Sequence, residues 1–361
     1  MTNTVDRTRV FGEGPKALDG MPPDRRPTLR PLPVVLRPII RFLLRSWSRF
    51  PKAPGYLYQI VERCGARLAV RPLEGQLFNG MKMTCDLADQ IQRQIYFFGA
   101  YEPIEVYLLR YLLRPGMVVI DAGANVGQHT LIAAGEVGPG GEVHAFEPVP
   151  KNFRRLVAHV SENGLAAMVR TNMMALWHQA ETVRLNLASD KANDGGYTIG
   201  VPSEAVDSVS CPCVRIDDYV AENKLVRVDF VKMDIEGAEW FALRGATAML
   251  ARWRPTMLME INRLACRGLG YEPERIWESL KPYGYLMWGV GPSPEMCRSL
   301  SSLDGVDSAN VVFHTSGLPD NVTKGWSYKS ILRFHRGNAR AAPKARSSWW
   351  MSHGAPVRDS R

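Results

Sequence analysis

Three acidic residues at the ends of apolar stretches carry most of the chemistry legible in this sequence. The first is Asp121, which follows the apolar run Met117–Ile120 and opens the turn Gly123-Ala-Asn-Val-Gly127. An apolar strand, a small-residue turn and a helical pattern form the start of a nucleotide-binding α/β unit, whose ligand sits beyond the carboxyl end of the strand. A dinucleotide site needs a second glycine where the backbone closes on a pyrophosphate, and a triphosphate loop ends in Lys-Ser/Thr. This turn has neither, and Asn125 stands between its glycines. Asp121, Gly123, Asn125 and Gly127 therefore suit a ligand with an amino-acid end and a nucleoside end.

The second acid, Glu147, closes the stretch His144-Ala-Phe146 and is followed by Pro148 and Pro150, which start a helix where a missing N–H costs nothing. A carboxylate at that point can accept hydrogen bonds from both hydroxyls of a ribose. Its plainer role is a charge at a helix N-terminus; the spacing to the first turn favours ribose. The third acid, Asp234, ends the apolar run Val226–Met233 and leads through Glu236 and Gly237 toward a helix. Alternation along a strand puts Lys232 and Asp234 on one face. Asp234 there suits proton abstraction or substrate positioning, or else an N-cap. Glu236 and Glu239 can equally be charges at the helix start. No third oxygen ligand is identifiable beside Asp234 and Glu236, so no metal is expected. His129 and His144 are candidates by residue type only, and His144, inside a strand, reads as structural.

Such residues need rigid elements to hold them. The apolar patterning predicts strands over 118–121, 142–146, 168–172, 182–187, 209–216, 226–233, 256–261, 284–288 and 309–314. Helices are predicted over 127–136, 150–163, 238–251 and 273–281, with a short one capped by Asp217-Asp218. Asn163-Gly164 gives the second of these its stop. Residues 189–208 read as a long loop. The alternation implies an α/β fold with a doubly wound, mostly parallel, Rossmann-like sheet and a C-terminal antiparallel strand. That domain spans 116–320. A small N-terminal lead-in module, 55–115, precedes it, with strands over 68–77 and 81–85 and a helix over 102–113.

The chain has 361 residues and a net charge of +9. The charge is uneven: residues 1–52 carry +7 and residues 321–361 carry +8, leaving −6 for the middle. Segments 1–30 and 321–361 thus read as basic tails with little stable structure. Within 31–54, Ile39, Ile40, Leu43, Leu44 and Trp47 share one helical side, while Arg37, Arg41, Arg45 and Arg49 recur on another. That amphipathic segment suits packing on the protein body, or peripheral contact with an anionic membrane through residues 31–50. It holds no uncharged run of spanning length and no signal-peptide core. Six scattered cysteines fit a reducing cytoplasm, with Cys211 and Cys213 as packed thiols. Basic tails also raise the alternative of a nucleic-acid-binding protein or nucleic-acid methyltransferase. Aromatics do not interleave with the basic runs apart from Trp349-Trp350, and an acidic middle repels phosphate, so no nucleic-acid partner is expected.

Several spaced motifs, in order, resemble the FkbM-type family of class I, S-adenosylmethionine-dependent methyltransferases. They are Phe98-Gly-Ala-Tyr-Glu-Pro103, Val119–Gly127, Ala145-Phe-Glu-Pro-Val-Pro-Lys-Asn152, Ile216-Asp-Asp218, Val231-Lys-Met-Asp-Ile-Glu-Gly-Ala-Glu239, Leu243-Arg-Gly-Ala246 and Arg254-Pro255 ahead of Glu260. The resemblance runs from about Ile95 to Trp288. It implies S-adenosyl-L-methionine as cofactor and a hydroxyl of a sugar, glycan or secondary metabolite as acceptor. It also implies that Asp121, Gly123, Asn125 and Gly127 surround the methionine end and ribose, with Glu147 on the ribose and Ala175 near the adenine. Tyr101 and Glu102 would close over the cofactor or cap the helix that follows. Members of the family often carry His where this chain has Asn262. Were that His a base, its replacement would leave Glu260 or Asp234 to act.

Overall fold

The computed structural model describes residues 72–187, 197–198, 207–291 and 297–318, together with Phe42 and Val61. The basic tails and the amphipathic segment 31–54 lie outside the described residues, Phe42 aside. No helix among the described residues is long and apolar enough to cross a membrane.

The lead-in begins with a hairpin, β1 (Leu73–Gln76) paired antiparallel with β2 (Lys82–Cys85). Two helices follow, α1 (Gln90–Phe98) and α2 (Pro103–Leu112). Helix α1 was not foreseen, although Asp89 caps it by accepting a bond from the Gln92 N–H. The large domain then runs β3 (Val118–Ala122), α3 (Gln128–Val137), β4 (Glu142–Phe146), α4 (Pro150–Glu162) and β5 (Val169–Asn172). Next come the short β6 (Ala175–Leu176), β7 (Thr182–Leu187), β8 (Tyr197–Thr198) and β9 (Asp207–Val214). The remainder is α5 (Ile216–Glu222), β10 (Phe230–Met233), α6 (Glu239–Arg244), α7 (Thr247–Trp253), β11 (Thr256–Asn262), α8 (Arg263–Gly268), α9 (Glu274–Leu280), β12 (Leu286–Val290), β13 (Cys297–Leu300) and β14 (Ser308–His314).

The main sheet has the order β13-β12-β14-β11-β10-β3-β4-β5. Strands β11, β10, β3, β4 and β5 are parallel, and β14 joins β11 antiparallel. Every residue of β3 is buried, because helices cover both faces of its sheet; that is why it reads as an unbroken apolar run. The expected architecture is therefore present, with three antiparallel strands at its edge rather than one. A second small sheet, β6-β9-β7-β8, was not separated from the main one in the sequence pattern. It also trims the expected long loop, since β8 and the start of β9 fall within 189–208.

Two boundaries differ for local reasons. Strand β10 starts only at Phe230, because Asp229 turns aside to accept the Val118 N–H through its side chain at 2.9 Å. The helix expected over 238–251 is two helices, broken at Gly245. A side-chain carbon there would stand 2.4 Å from the Trp177 carbonyl, and the Gly245 carbonyl accepts the Asp217 N–H. Asp217 does not cap its own helix. Its carboxylate accepts the N–H groups of Ala248 and Met249 and so caps α7 instead.

Candidate active site

Strand β3 lies between β4 and β10, and the three end at one edge of the sheet. At that edge the chain leaves β3 through Gly123 with φ +77°, where a side-chain carbon would fall 1.8 Å from the Asp234 carbonyl oxygen. Only glycine permits both that backbone conformation and that contact. Gly123 and Ala124 donate to the Phe146 carbonyl at 3.0 and 2.9 Å, which ties the turn to the end of β4.

Asn125 is left-handed, with φ 50°, and its N–H donates to Glu147 Oε2 at 2.8 Å. The other oxygen, Oε1, accepts the Val149 N–H at 2.9 Å. Burial pushes the Glu147 carboxyl up to about 7 although both backbone bonds oppose the shift. Asp121 is buried below the turn, where Oδ2 accepts the Thr130 hydroxyl at 2.5 Å. Its Oδ1 has no hydrogen-bond partner, and burial raises its carboxyl above the usual range. Gly127 takes no place in the cleft wall; it is the N-cap of α3 and packs on Leu156. His129 is buried and pushed down to about 3, chiefly by that burial, which leaves it neutral. His144 is buried in β4 against the Tyr219 hydroxyl at 2.8 Å, a structural contact.

A cleft of about 970 Å³, open to solvent, joins this turn to the end of β10. Gly123, Asn125, Glu147 and Ala175 line one end, with Leu185 of the second sheet beside Ala175. Asp234, Glu236 and Glu260 line the other, and Tyr101, Glu102 and Ile91 reach it from the lead-in.

At the second end Lys232 lies buried beneath Asp234, its Nζ 3.0 Å from Oδ2. One carboxylate oxygen from each of Asp234, Glu236 and Glu260 lies within 4.8 Å of the others. The third oxygen that sequence could not supply is thus Glu260, brought in by β11; Lys232 already gives Asp234 a cation. Burial opposes the charge on Asp234, but the ammonium and a hydrogen bond from Glu260 outweigh it and hold the carboxyl below its usual value. Glu260 is pushed up to about 10, first by burial and then by the charge and hydrogen bond of Asp234. Burial, with the charge of Asp234 next, pushes Glu236 up to about 8. Glu102 also rises to about 8, through burial and then Glu105 and Asp234.

Asp234 does not cap the following helix, whose N-cap is Ala238. Glu239 takes the supporting role, accepting the Ile235 N–H at 3.0 Å. Glu102 occupies the N-cap position of α2 but makes no side-chain capping bond. Asn262 caps α8 by accepting the Ala265 N–H at 3.2 Å, which gives it a structural role. Of the five non-glycine residues with positive φ among the described residues, three line the cleft: Glu102, Asn125 and Glu236. Backbone held in this sparsely populated region concentrates where side chains must be aimed.

Two connections escaped sequence reasoning. Gln128 grips the Tyr101 backbone from both sides, Oε1 accepting its N–H at 2.6 Å and Nε2 donating to its carbonyl at 2.9 Å. Asn310 of β14 donates to Glu105 Oε1 at 3.0 Å, across 205 residues of sequence. Neither residue carries a motif signal, apart from Gln128 following Gly127 at the start of a helix.

The sequence profile of the methyltransferase FkbM domain matches residues 121–287, from the Asp121 turn to β12. This is a domain of the FkbM methyltransferase family. The chain is 30% identical over 158 residues to the 31-O-demethyl-FK506 methyltransferase FkbM of Streptomyces tacrolimicus, covering 37% of this chain and 60% of that one. It is 27% identical over 144 residues to Methyltransferase 1 of Beauveria bassiana (strain ARSEF 2860), covering 35% and 57%. The FkbM domain thus spans less than two thirds of either relative's length. Among solved structures, a methyltransferase FkbM of Methylobacillus flagellatus KT is 15% identical, with 62% of this chain and 54% of that one covered and a TM-score of 0.33. The FkbM assignment rests on the profile and the curated relatives. They make residues 121–287 a methyltransferase domain of the S-adenosylmethionine-dependent, Rossmann-like type.

Proposed function

We propose that this chain transfers a methyl group from S-adenosylmethionine to a hydroxyl of a small molecule, a sugar, glycan or secondary metabolite. The observation that carries the reading is one cleft with a nucleoside-binding turn at one end and a carboxylate trio at the other. The donor end fits the cofactor on this chain's own terms. The turn that Gly123 permits brings Asn125 and Glu147 to the cleft wall, and Asp121 Oδ1 just beneath it is a buried acceptor without a hydrogen-bond donor. Asp121 and Asn125 would hold the methionine part, Glu147 the ribose, and Ala175 with Leu185 the adenine.

When bound, S-adenosylmethionine supplies a methyl group on a positively charged sulfur that is a good leaving group. The protein's share is alignment and proton removal, the latter contributing about 10²–10⁴-fold. Asp234, kept ionised, accepts the hydroxyl proton. Glu260, kept protonated, donates a hydrogen bond to a neighbouring acceptor oxygen. Glu236 and Glu102 flank them, and Tyr101 closes the wall above the turn. Among the described residues, no Lys or Arg lines the cleft to pair with a phosphate, in keeping with a small hydroxylated acceptor rather than nucleic acid.

Calorimetry with S-adenosylhomocysteine, followed by transfer of tritiated methyl from S-adenosylmethionine to a panel of hydroxylated small molecules, tests the reading. Micromolar binding and base-stable label in an acceptor support it. Absence of S-adenosylhomocysteine binding by the wild type would sink it.

A further inference from the structure

Lys232 carries a consequence beyond the cleft's general chemistry. It is a charged residue in the middle of the sheet, 6% exposed, beside Asp121 of β3 by strand register. A buried ammonium is costly unless paired. The Lys232 ammonium donates to Asp234 Oδ2 at 3.0 Å. Glu260, the other carboxyl of the Asp234 pair, sits on the next strand, one residue beyond the Met259 that pairs with Met233, and Lys232 makes its ion pair with Asp234 and none with Glu260. The ammonium therefore acts unequally on two carboxyls that share one proton.

Two adjacent carboxyl groups without a third charge hold a proton in common, and either can be the base. Here other charges surround the pair. Asp121 and His129 face it from β3 and α3, Glu102 and Glu105 from the lead-in, and Glu236 and Glu239 from the turn after β10 and the start of α6. The acids among them are all negative when ionised and His129 is neutral, so none singles out Asp234 for the negative charge. Lys232 does.

We propose that Lys232 is a positioning residue for the methyl transfer: its buried ammonium fixes Asp234 as the proton-accepting carboxylate and leaves Glu260 as the hydrogen-donating acid. This rests on the methyltransferase reading of the cleft. As the acceptor oxygen bonds the methyl carbon, the carbon–sulfur bonding pair stays on sulfur and the hydroxyl proton passes to Asp234. The proton on Glu260 does not move. Burial disfavours the ammonium, but Asp234 and Asp121 outweigh that and keep Lys232 charged at any physiological pH.

Infrared difference spectroscopy of the carboxyl C=O stretch in the full chain at neutral pH tests the assignment, with S-adenosylhomocysteine affinity measured in parallel. The wild type is expected to show a protonated-carboxyl band that weakens in Glu260→Gln. Lys232→Met is expected to gain one further protonated carboxyl, lost again when Asp234→Asn is added. Lys232→Arg is expected to match the wild type. A Lys232→Met spectrum identical to wild type would overturn the proposal. So would loss of the Glu260 band on adding magnesium to the wild type, because a divalent cation would then set the charges. If Lys232→Met fails to fold, Lys232→Arg decides: an unchanged spectrum supports the proposal and a gained band overturns it. Failure of the wild type to bind S-adenosylhomocysteine would sink the methyltransferase reading, while the carboxyl spectra would still decide the role of Lys232.

Discussion

At the β3–β4 end of the cleft, acidic groups are held by partners close in the chain. Glu147 is gripped by the N–H groups of Asn125 and Val149, and Asp121 by the Thr130 hydroxyl. At the β10–β11 end, Asp234, Glu236, Glu260 and Glu102 come from three separate stretches of sequence and crowd around one another, with the Lys232 ammonium paired to Asp234. On the proposed reading, the first arrangement holds the cofactor through a rigid turn and the second gathers carboxyls where a proton can be moved. The two ends should then respond differently to substitution.

The largest separation is expected from Asp234→Asn. Removing the proton acceptor should lower methyl transfer by about 10²–10⁴-fold, while S-adenosylhomocysteine affinity by calorimetry stays near wild type. A joint loss of both would erase the distinction between the ends. Glu147→Ala is the complementary change. Loss of a charged hydrogen-bonding group should weaken S-adenosylhomocysteine binding by roughly 10–100-fold, and radiolabel transfer at saturating donor should recover most of its rate.

The third test uses pH. The carboxyls of Glu102 and Glu236, each pushed up to about 8, bind protons in the folded protein that they release in the unfolded chain above about 4.5. A raised carboxyl value means the folded state holds more protons, so stability falls as pH rises from 4.5 through 8. His129, pushed down to about 3, acts oppositely but only below 6.5. Melting temperature should therefore drop between pH 6.5 and 8 by about 3 °C per pH unit for each titrating group. Glu236→Gln should flatten that slope, and Glu147→Ala should flatten it less, because Glu147 is pushed up only to about 7.

The smallest effect is expected from Gln128→Ala, which cuts the two bonds to the Tyr101 backbone. Its stability cost should be about 1–3 kcal/mol by denaturant titration. Faster hydrogen exchange should be confined to the region around residue 101, where the lead-in meets the donor turn.

The same contrast explains what could be read from sequence. The turn after β3 was legible because Asp121, Gly123, Asn125 and Glu147 lie at strand ends and in turn geometry, which leave marks over a few residues. The alternating pattern similarly fixed the parallel strands. The reacting end was half legible. Lys232 and Asp234 share a strand face, so alternation pairs them. Glu260 comes from another strand, and its distance to Asp234 depends on sheet order and register. The Glu105–Asn310 contact and the Gly245 break depend on packing between distant segments. The Asp217 cap was misjudged because its side chain serves a helix it does not belong to.

The crowd of carboxylates around Lys232 also bears on which molecules are turned away. Above about pH 8, where Glu102 and Glu236 ionise beside Asp234, a hydroxyl flanked by a phosphate or carboxylate brings like charge toward all three. On the proposed reading, the cleft at such pH sorts free from phosphorylated acceptors by charge before it sorts them by shape. Added salt relaxes that sieve, since the cleft is open to solvent and its field is screened.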